Sequence, residues 1–240
     1  MKQNFSTIIL TLFPEMFPGP LGHSLAGRAL QNGLWNINPI QIRDFATDKH
    51  RTVDDTPYGG GAGMVMRPDV MDKALEHAKS QLPGALPIYF TPRGKRFDQK
   101  IAHELCQKDL ILICGRFEGV DERFLQKHEP LELSIGDFIL SGGEIAALTL
   151  LDACIRLLPG VMGAEDSLNE ESFAVDGDFT GLLEYPHYTR PPIWEEKSVP
   201  DVLLSGNHAQ IRKWRLAHSE NLTKTSRPDL WALRRETPKA

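Results

Sequence analysis

The chain has 240 residues, 41% of them hydrophobic and 25% charged, with a formal charge of −5. That length fits one large domain, or one of about 150 residues with a smaller companion, and the composition is that of an ordinary soluble globular protein. The only N-terminal apolar run, Ile8 to Phe13, stops at Pro14-Glu15, which excludes a secretory h-region or a membrane span there and leaves a cytoplasmic protein as the expectation.

In chain order, residues 6–14, 39–45, 86–92 and 109–115 read as strands, with helices over 22–33, 69–81, 98–107 and 121–127 between them. Leu110 to Cys114 is continuously apolar, as expected of a strand covered on both faces. Strands alternating with helices predict an α/β fold with a parallel sheet. Leu131 to Leu140 reads as one further strand. Glu144 to Leu158 is the most apolar helix, stopped by Pro159-Gly160; such a helix must be buried on most sides, in the core or against a second subunit, and a homodimer is favoured. Gly163 to Asp178 holds six acids and no base and reads as a mobile linker, or a loop that orders on binding. Asn207 to Ala217 reads as a basic helix. Residues 206–240 carry eight Lys/Arg against three acids, leaving −10 on the rest. A basic tail on an acidic body points to a polyanion or to a merely solvated helix.

Two blocks carry the chemistry. Gly115-Arg-Phe-Glu-Gly-Val-Asp-Glu-Arg123 and Ser134-Ile-Gly-Asp-Phe-Ile-Leu-Ser-Gly-Gly-Glu144 each follow a strand-like run and mix glycines with carboxylates. Glycine lets a backbone turn sharply and approach a ligand closely, so the two turns are expected to form two walls of one small-molecule pocket. Neither is a common phosphate loop. The densest glycine cluster, Tyr58-Gly-Gly-Gly-Ala-Gly63, has Met64 where a dinucleotide fingerprint needs its third glycine, and Gly94-Lys95-Arg96 lacks the P-loop hydroxyl. Scattered histidines predict no zinc site. Cys106, Cys114 and Cys154 form no C-x-x-C pair and read as packed free thiols in a reducing compartment. Among the carboxylates, Asp121 and Glu122 suit a helix N-terminus, while Glu118 is the better functional candidate. Arg156 ends the apolar helix. It either satisfies the last carbonyls or stabilises developing negative charge.

Read in order, Leu12–Phe17, His50–Asp55, Pro57–Met64, Cys114–Arg123, Ser134–Glu144, Pro186–Pro191 and Leu203–Ala209 through Arg215 resemble the bacterial tRNA (guanine-N1)-methyltransferases, of the SPOUT superfamily, over almost the whole chain. The resemblance implies a deep trefoil knot in a catalytic domain over 1–162, a flexible acidic linker over 163–178, and a small, mainly helical tRNA-binding domain over 179–240. It implies S-adenosyl-L-methionine as donor, N1 of guanosine 37 of tRNA as acceptor, and an obligate homodimer with its active site at the subunit interface. The donor pocket carries over to Tyr89, Phe90, Thr91, Pro92, Gly115, Gly119, Ile135, Gly136, Asp137, Phe138, Ile139, Leu140, Gly142 and Gly143. Arg156 matches the family arginine, and tRNA contacts fall on Asp54, Gly61, Arg212, Lys213 and Arg215. Glu118 joins the catalytic group, with magnesium left open as an assistant although no dedicated ligand set is seen. The base, which the resemblance places on the linker of the partner subunit, falls at Glu171 and departs from the pattern. The family usually places Asp before Ser-Phe, whereas this chain has Glu171-Ser172-Phe173. A SPOUT enzyme acting on another RNA lacks the Pro57–Met64 and Pro186–Pro191 blocks, and a non-catalytic RNA-binding protein has no use for the glycine turns.

Overall fold

The computed structural model describes residues 4–163 and 170–236, and divides into two compact units, Met1–Gly163 and Ala164–Ala240.

The first unit is built on five parallel strands: β1 (Phe5–Thr11), β2 (Trp35–Gln41), β5 (Leu86–Arg96), β6 (Leu110–Ile113) and β7 (Leu131–Ser134), in the order β2-β1-β6-β5-β7. Strand β6 lies between β1 and β5, and all four of its residues are fully buried, as its unbroken apolar run requires. Helices α1 (Ser24–Gln31), α2 (Pro68–Gln81), α3 (Gln99–Leu105), α4 (Glu122–His128) and α5 (Gly143–Ile155) surround the sheet. Helix α2 packs on β1 and α4, while α5 packs on α3 and β5. Leu10, Ile111 and Ile113 join Met71, Leu75 and Phe124 in one core. Ile9 and Leu112, alternating with them, face the opposite side. A two-stranded ribbon, β3 (Asp54–Asp55) and β4 (Val65–Met66), frames the Tyr58–Gly63 cluster.

Most helices start where the chemistry says they should. The Asp98 carboxylate accepts from the Ile101 amide at 2.9 Å, and Asp121 accepts from the Arg123 amide at 2.9 Å; each satisfies an otherwise orphaned first-turn donor. Several boundaries differ from expectation, among them the end of β1 at Thr11, where Pro14–Met16 forms a 3-10 turn, and the end of α5 at Ile155. Strand β2 starts at Trp35 and gives way at Ile42 to a 3-10 turn, Ile42–Phe45. The alternating Trp-Asn-Ile-Asn pattern is itself that of a half-buried strand, and Pro39 is tolerated because β2 is an edge strand. The Trp35 indole is buried and donates to the Ala26 carbonyl at 2.8 Å. Strand β7 ends at Ser134 rather than Leu140, because the Ser134 hydroxyl bonds both the amide and the carbonyl of Gly136 and turns the chain. Strand β5 runs on to Arg96. Both Phe90 and Lys95 pair with Leu133, so Thr91–Gly94 is pushed out as a loop.

The second unit holds a hairpin, β8 (Ile193–Trp194) and β9 (Lys197–Ser198), and helices α6 (Asp201–Leu204), α7 (His208–Ser226) and α8 (Pro228–Glu236). Helix α7 starts at an Asn207 cap, whose side chain accepts from the Gln210 amide at 3.2 Å, and runs nine residues past the expected end at Ala217. Its core is Ala174, Phe179, Leu182 and Tyr185, packed against Trp214, Leu216 and Trp231. No helix among the described residues is long and apolar enough to cross a membrane.

Candidate active site

Three loops leave the C-terminal ends of neighbouring parallel strands, where open α/β sheets bind their ligands. They are the Thr91–Gly94 excursion of β5, the Gly115–Gly119 turn after β6, and the Ile135–Gly142 segment after β7. Together they enclose a cleft of about 340 Å³, within the range of small-molecule sites. Every residue expected to hold the donor lines it except Asp137, which is exposed and does not. Glu118, Arg116, Phe117, Ser141 and Ala146 line it as well.

Backbone bonds tie two of the loops to one another, and the Gly115–Gly119 turn to the β3–β4 ribbon. The Gly143 amide donates to the Gly115 carbonyl at 2.9 Å, and Glu118 and Met66 amides bond Met64 and Gly119 carbonyls at 2.9 Å each. Glycine is required at the tightest approach. A Cβ on Gly143 would stand 2.7 Å from Cα of Cys114, and that atom belongs to backbone at the end of a buried strand, so it has nowhere to go. Gly143→Ala is therefore expected to cost about 1–3 kcal/mol and to weaken binding of S-adenosyl-homocysteine; a thermal melt and a calorimetric titration check both. Gly119 adopts φ +111, which a side chain would oppose. Phe117 holds φ +59 and remains half exposed in the cleft. An aromatic residue in that conformation stores about 1–3 kcal/mol of strain, a feature that concentrates at functional sites.

Beneath the cleft lies a buried ion pair that sequence reasoning missed. Glu144, 1% exposed, accepts from the Thr11 hydroxyl at 2.7 Å and stands 2.9 Å from the Arg116 guanidinium. Arg116 also donates to the Ser141 carbonyl at 3.1 Å and lies 4.5 Å over the Phe13 ring. The only hint in sequence was the presence of one residue in each glycine block. Burial, with the Glu144 carboxylate nearby, pushes the Cys114 thiol well above its ordinary range. Cys106, Cys114 and Cys154 are all buried and unpaired by disulfide, so they are packed rather than reactive. Burial likewise raises the Tyr89 phenol, keeping it neutral beside the cleft.

Of the other expected catalytic groups, Arg156 lies elsewhere in the first unit. Arg156 follows the C-terminal end of α5 and lines a separate cleft of about 300 Å³ with His23, Asp152 and Met162. Helix α5 has 13 residues, so Arg156 is about 20 Å from Gly143. Glu171 belongs to the second unit, half buried, its carbonyl accepting from the Ala174 amide at 3.2 Å. Glu165 and Asp166 of the acidic stretch fall outside the described residues. Asp54 is half buried in β3, and Gly61 sits in the exposed ribbon loop with φ +122. On α7, Arg212 pairs with Asp178 at 2.6 Å and Arg215 with Glu170 at 2.9 Å, while Lys213 is exposed. Among the described residues, no group of three or more His, Cys, Asp or Glu is placed to hold a metal ion.

Known proteins match this chain over nearly its full length. Residues 5–233 match the family tRNA (Guanine-1)-methyltransferase TrmD. A Rhodospirillum rubrum tRNA (guanine-N(1)-)-methyltransferase is 59% identical over 227 residues, covering 94% of this chain and 92% of the relative. Its namesake in Bartonella bacilliformis is 57% identical over 230 residues, covering 95% and 96%. A match of this extent, laid over a glycine-lined cleft at the ends of parallel strands, leaves one conclusion: the chain belongs to the tRNA (guanine-1)-methyltransferase family.

Proposed function

We propose that this chain transfers a methyl group from S-adenosyl-L-methionine to N1 of guanosine 37 in tRNA, acting as a homodimer. The carrying observation is the cleft built by three loops, two of them joined by a backbone hydrogen bond, in a chain that matches the family from residue 5 to residue 233.

The cleft suits the donor. It has aromatic walls at Tyr89, Phe117 and Phe138, with glycine backbone at the floor, where Cβ atoms would collide with their neighbours. The bound donor supplies a methyl on a positively charged sulfur, and the C–S bond breaks as the N–C bond to guanine N1 forms. The protein's own residues handle the remaining charge. Guanine N1 carries a proton, and Glu171 is the base that accepts it, from about 2.6–3.2 Å. Departure of that proton drives negative charge onto O6, where the Arg156 guanidinium stabilises it. Glu118, at the rim of the cleft, completes the catalytic group. Glu118 is the residue that would hold an assisting magnesium ion, with no group of three or more His, Cys, Asp or Glu around it among the described residues.

The distance between Gly143 and Arg156 supports the dimer. Both act on one substrate only if a second copy brings its Arg156 to the first copy's cleft. Helix α5 supports it further: Ile145 is 48% exposed on this largely apolar helix, and Phe13 and Leu25 are also exposed, an apolar surface that a partner would cover. The knot is part of the same reading. After the edge strand β7 the chain returns to the middle of the sheet, where Gly143 bonds Gly115 and Glu144 bonds Thr11. In the second unit, taken as the tRNA-binding domain beyond the acidic linker, Arg212, Lys213 and Arg215 meet phosphates. Arg212 must first exchange Asp178 for a phosphate, whereas Arg215 keeps Nη1 on Glu170 and meets a phosphate through Nη2. Asp54 and Gly61 contact the RNA from the ribbon.

The test is a methylation assay on two tRNA transcripts, one with guanosine 37 and one with it replaced by adenosine. Methyl incorporation is expected only in the first. Equal incorporation in both would reject the site assignment.

A further inference from the structure

We propose that Glu170 is a positioning residue for Glu171. Its carboxylate anchors the chain to the core of the second unit, so that the adjoining carboxylate is presented in one place. The inference rests on the reading of Glu171 as the base.

Glu170 is held by two donors at one oxygen. The Tyr185 hydroxyl donates to Oε2 at 2.8 Å, and Arg215 Nη1 donates to the same atom at 2.9 Å. The Arg215 guanidinium also lies 4.8 Å over the Tyr185 ring. Tyr185 is buried in the core with Phe179 and Leu182, so the tie runs from Glu170 to the packed core of the unit. Burial, and then the bond to Glu170, push the Tyr185 hydroxyl up, which keeps it protonated and able to donate. Bonds to a charged acceptor are the stronger kind.

The far side of Glu171 is fixed as well. The Ser172 hydroxyl accepts from the Glu184 amide at 2.9 Å, and the Phe173 amide donates to the Leu182 carbonyl at 2.9 Å. Ala174 is buried in the same core. Glu171 is therefore bracketed by anchored neighbours, Glu170 before it and Ser172 and Phe173 after it. Anchoring matters more here than for an aspartate, because the extra methylene of Glu171 adds a rotor. A displacement of about 1 Å at a reacting group can cost on the order of a hundredfold in rate.

The experiment measures single-turnover methyl transfer by the full chain, with saturating donor and a transcript carrying guanosine 37. Glu170→Ala is expected to slow the step about tenfold or more, with affinity for S-adenosyl-homocysteine changed by less than about twofold. Glu170→Gln keeps an oxygen that accepts from both donors and should stay within about threefold of the parent. Tyr185→Phe removes one bond and keeps the ring packing, and should slow the step by about threefold. Combining Tyr185→Phe with Glu170→Ala should be no slower than Glu170→Ala alone, as expected for partners in one interaction. Thermal melts accompany each variant; if Glu170→Ala is unfolded, Tyr185→Phe carries the test. Parental rates in Tyr185→Phe and in any folded Glu170→Ala, while Glu171→Gln is inactive, would overturn the positioning role and leave the base in place. An active Glu171→Gln would remove both.

Discussion

Glu171→Gln is expected to abolish methyl transfer while leaving the donor cleft untouched. The amide has nearly the shape of the carboxylate but cannot accept the guanine proton at neutral pH. Loss of a positioned general base costs about 10²–10⁴-fold, and that loss should appear in single-turnover rate rather than in tRNA or donor affinity. The separation is sharp because Glu171 belongs to the second unit, Ala164–Ala240, whereas every residue lining the donor cleft belongs to the first. Calorimetry with S-adenosyl-homocysteine should therefore give parental affinity. Glu171→Asp restores the residue type usual in the family and should retain substantial activity, since the anchors on both flanks are unchanged. A variant with Gln at this position that still methylates at the parental rate would assign the proton to another acceptor, and Glu118 would be the next to test.

Residues whose role depends on near neighbours were legible in the sequence; those whose role depends on chain crossings were not. The run Leu110–Ile113 announced a strand covered on both faces, and it lies in the interior of the sheet, between β1 and β5. Asp121 announced a cap and provides one. The glycine turns announced walls of a pocket because tight turns and close approach are local properties, and both turns line one cleft. By contrast, periodicity says nothing of the order β2-β1-β6-β5-β7, which arises from loops crossing over strands. The irregular pairing of β5, in which Leu133 faces both Phe90 and Lys95, is likewise invisible without its partner strand. The pairing of Arg116 with Glu144 and Thr11 joins three segments far apart in sequence. No spacing rule selects Glu144 over its neighbour carboxylates for that place.

That buried pair gives the second large expected effect. Glu144 is almost completely excluded from water, while Arg116 keeps 19% of its side-chain surface exposed. Arg116 Nη2 stands 2.9 Å from Glu144 Oε2, yet neither that oxygen nor Arg116 Nε has an aligned hydrogen-bond partner among the described residues. The attraction is thus Coulombic rather than a directed bond, and the two desolvation costs are only partly repaid. Removing one partner leaves the other charge buried. Glu144→Ala is expected to cost about 3 kcal/mol, lowering the melting midpoint by roughly 10 °C for a unit of this size. Glu144→Leu with Arg116→Met replaces both charges by apolar groups and should recover much of that stability. It should not recover donor affinity. Arg116 bonds the Ser141 carbonyl and Glu144 bonds Thr11, so the pair fixes the first glycine turn against the second. Without it the loops repack at a different spacing, and S-adenosyl-homocysteine should bind at least about tenfold more weakly, a difference of about 1.4 kcal/mol. A double variant that is stable and binds with parental affinity would reduce the pair to a passenger of the fold, whereas recovered stability without recovered binding identifies it as the element that sets the width of the cleft.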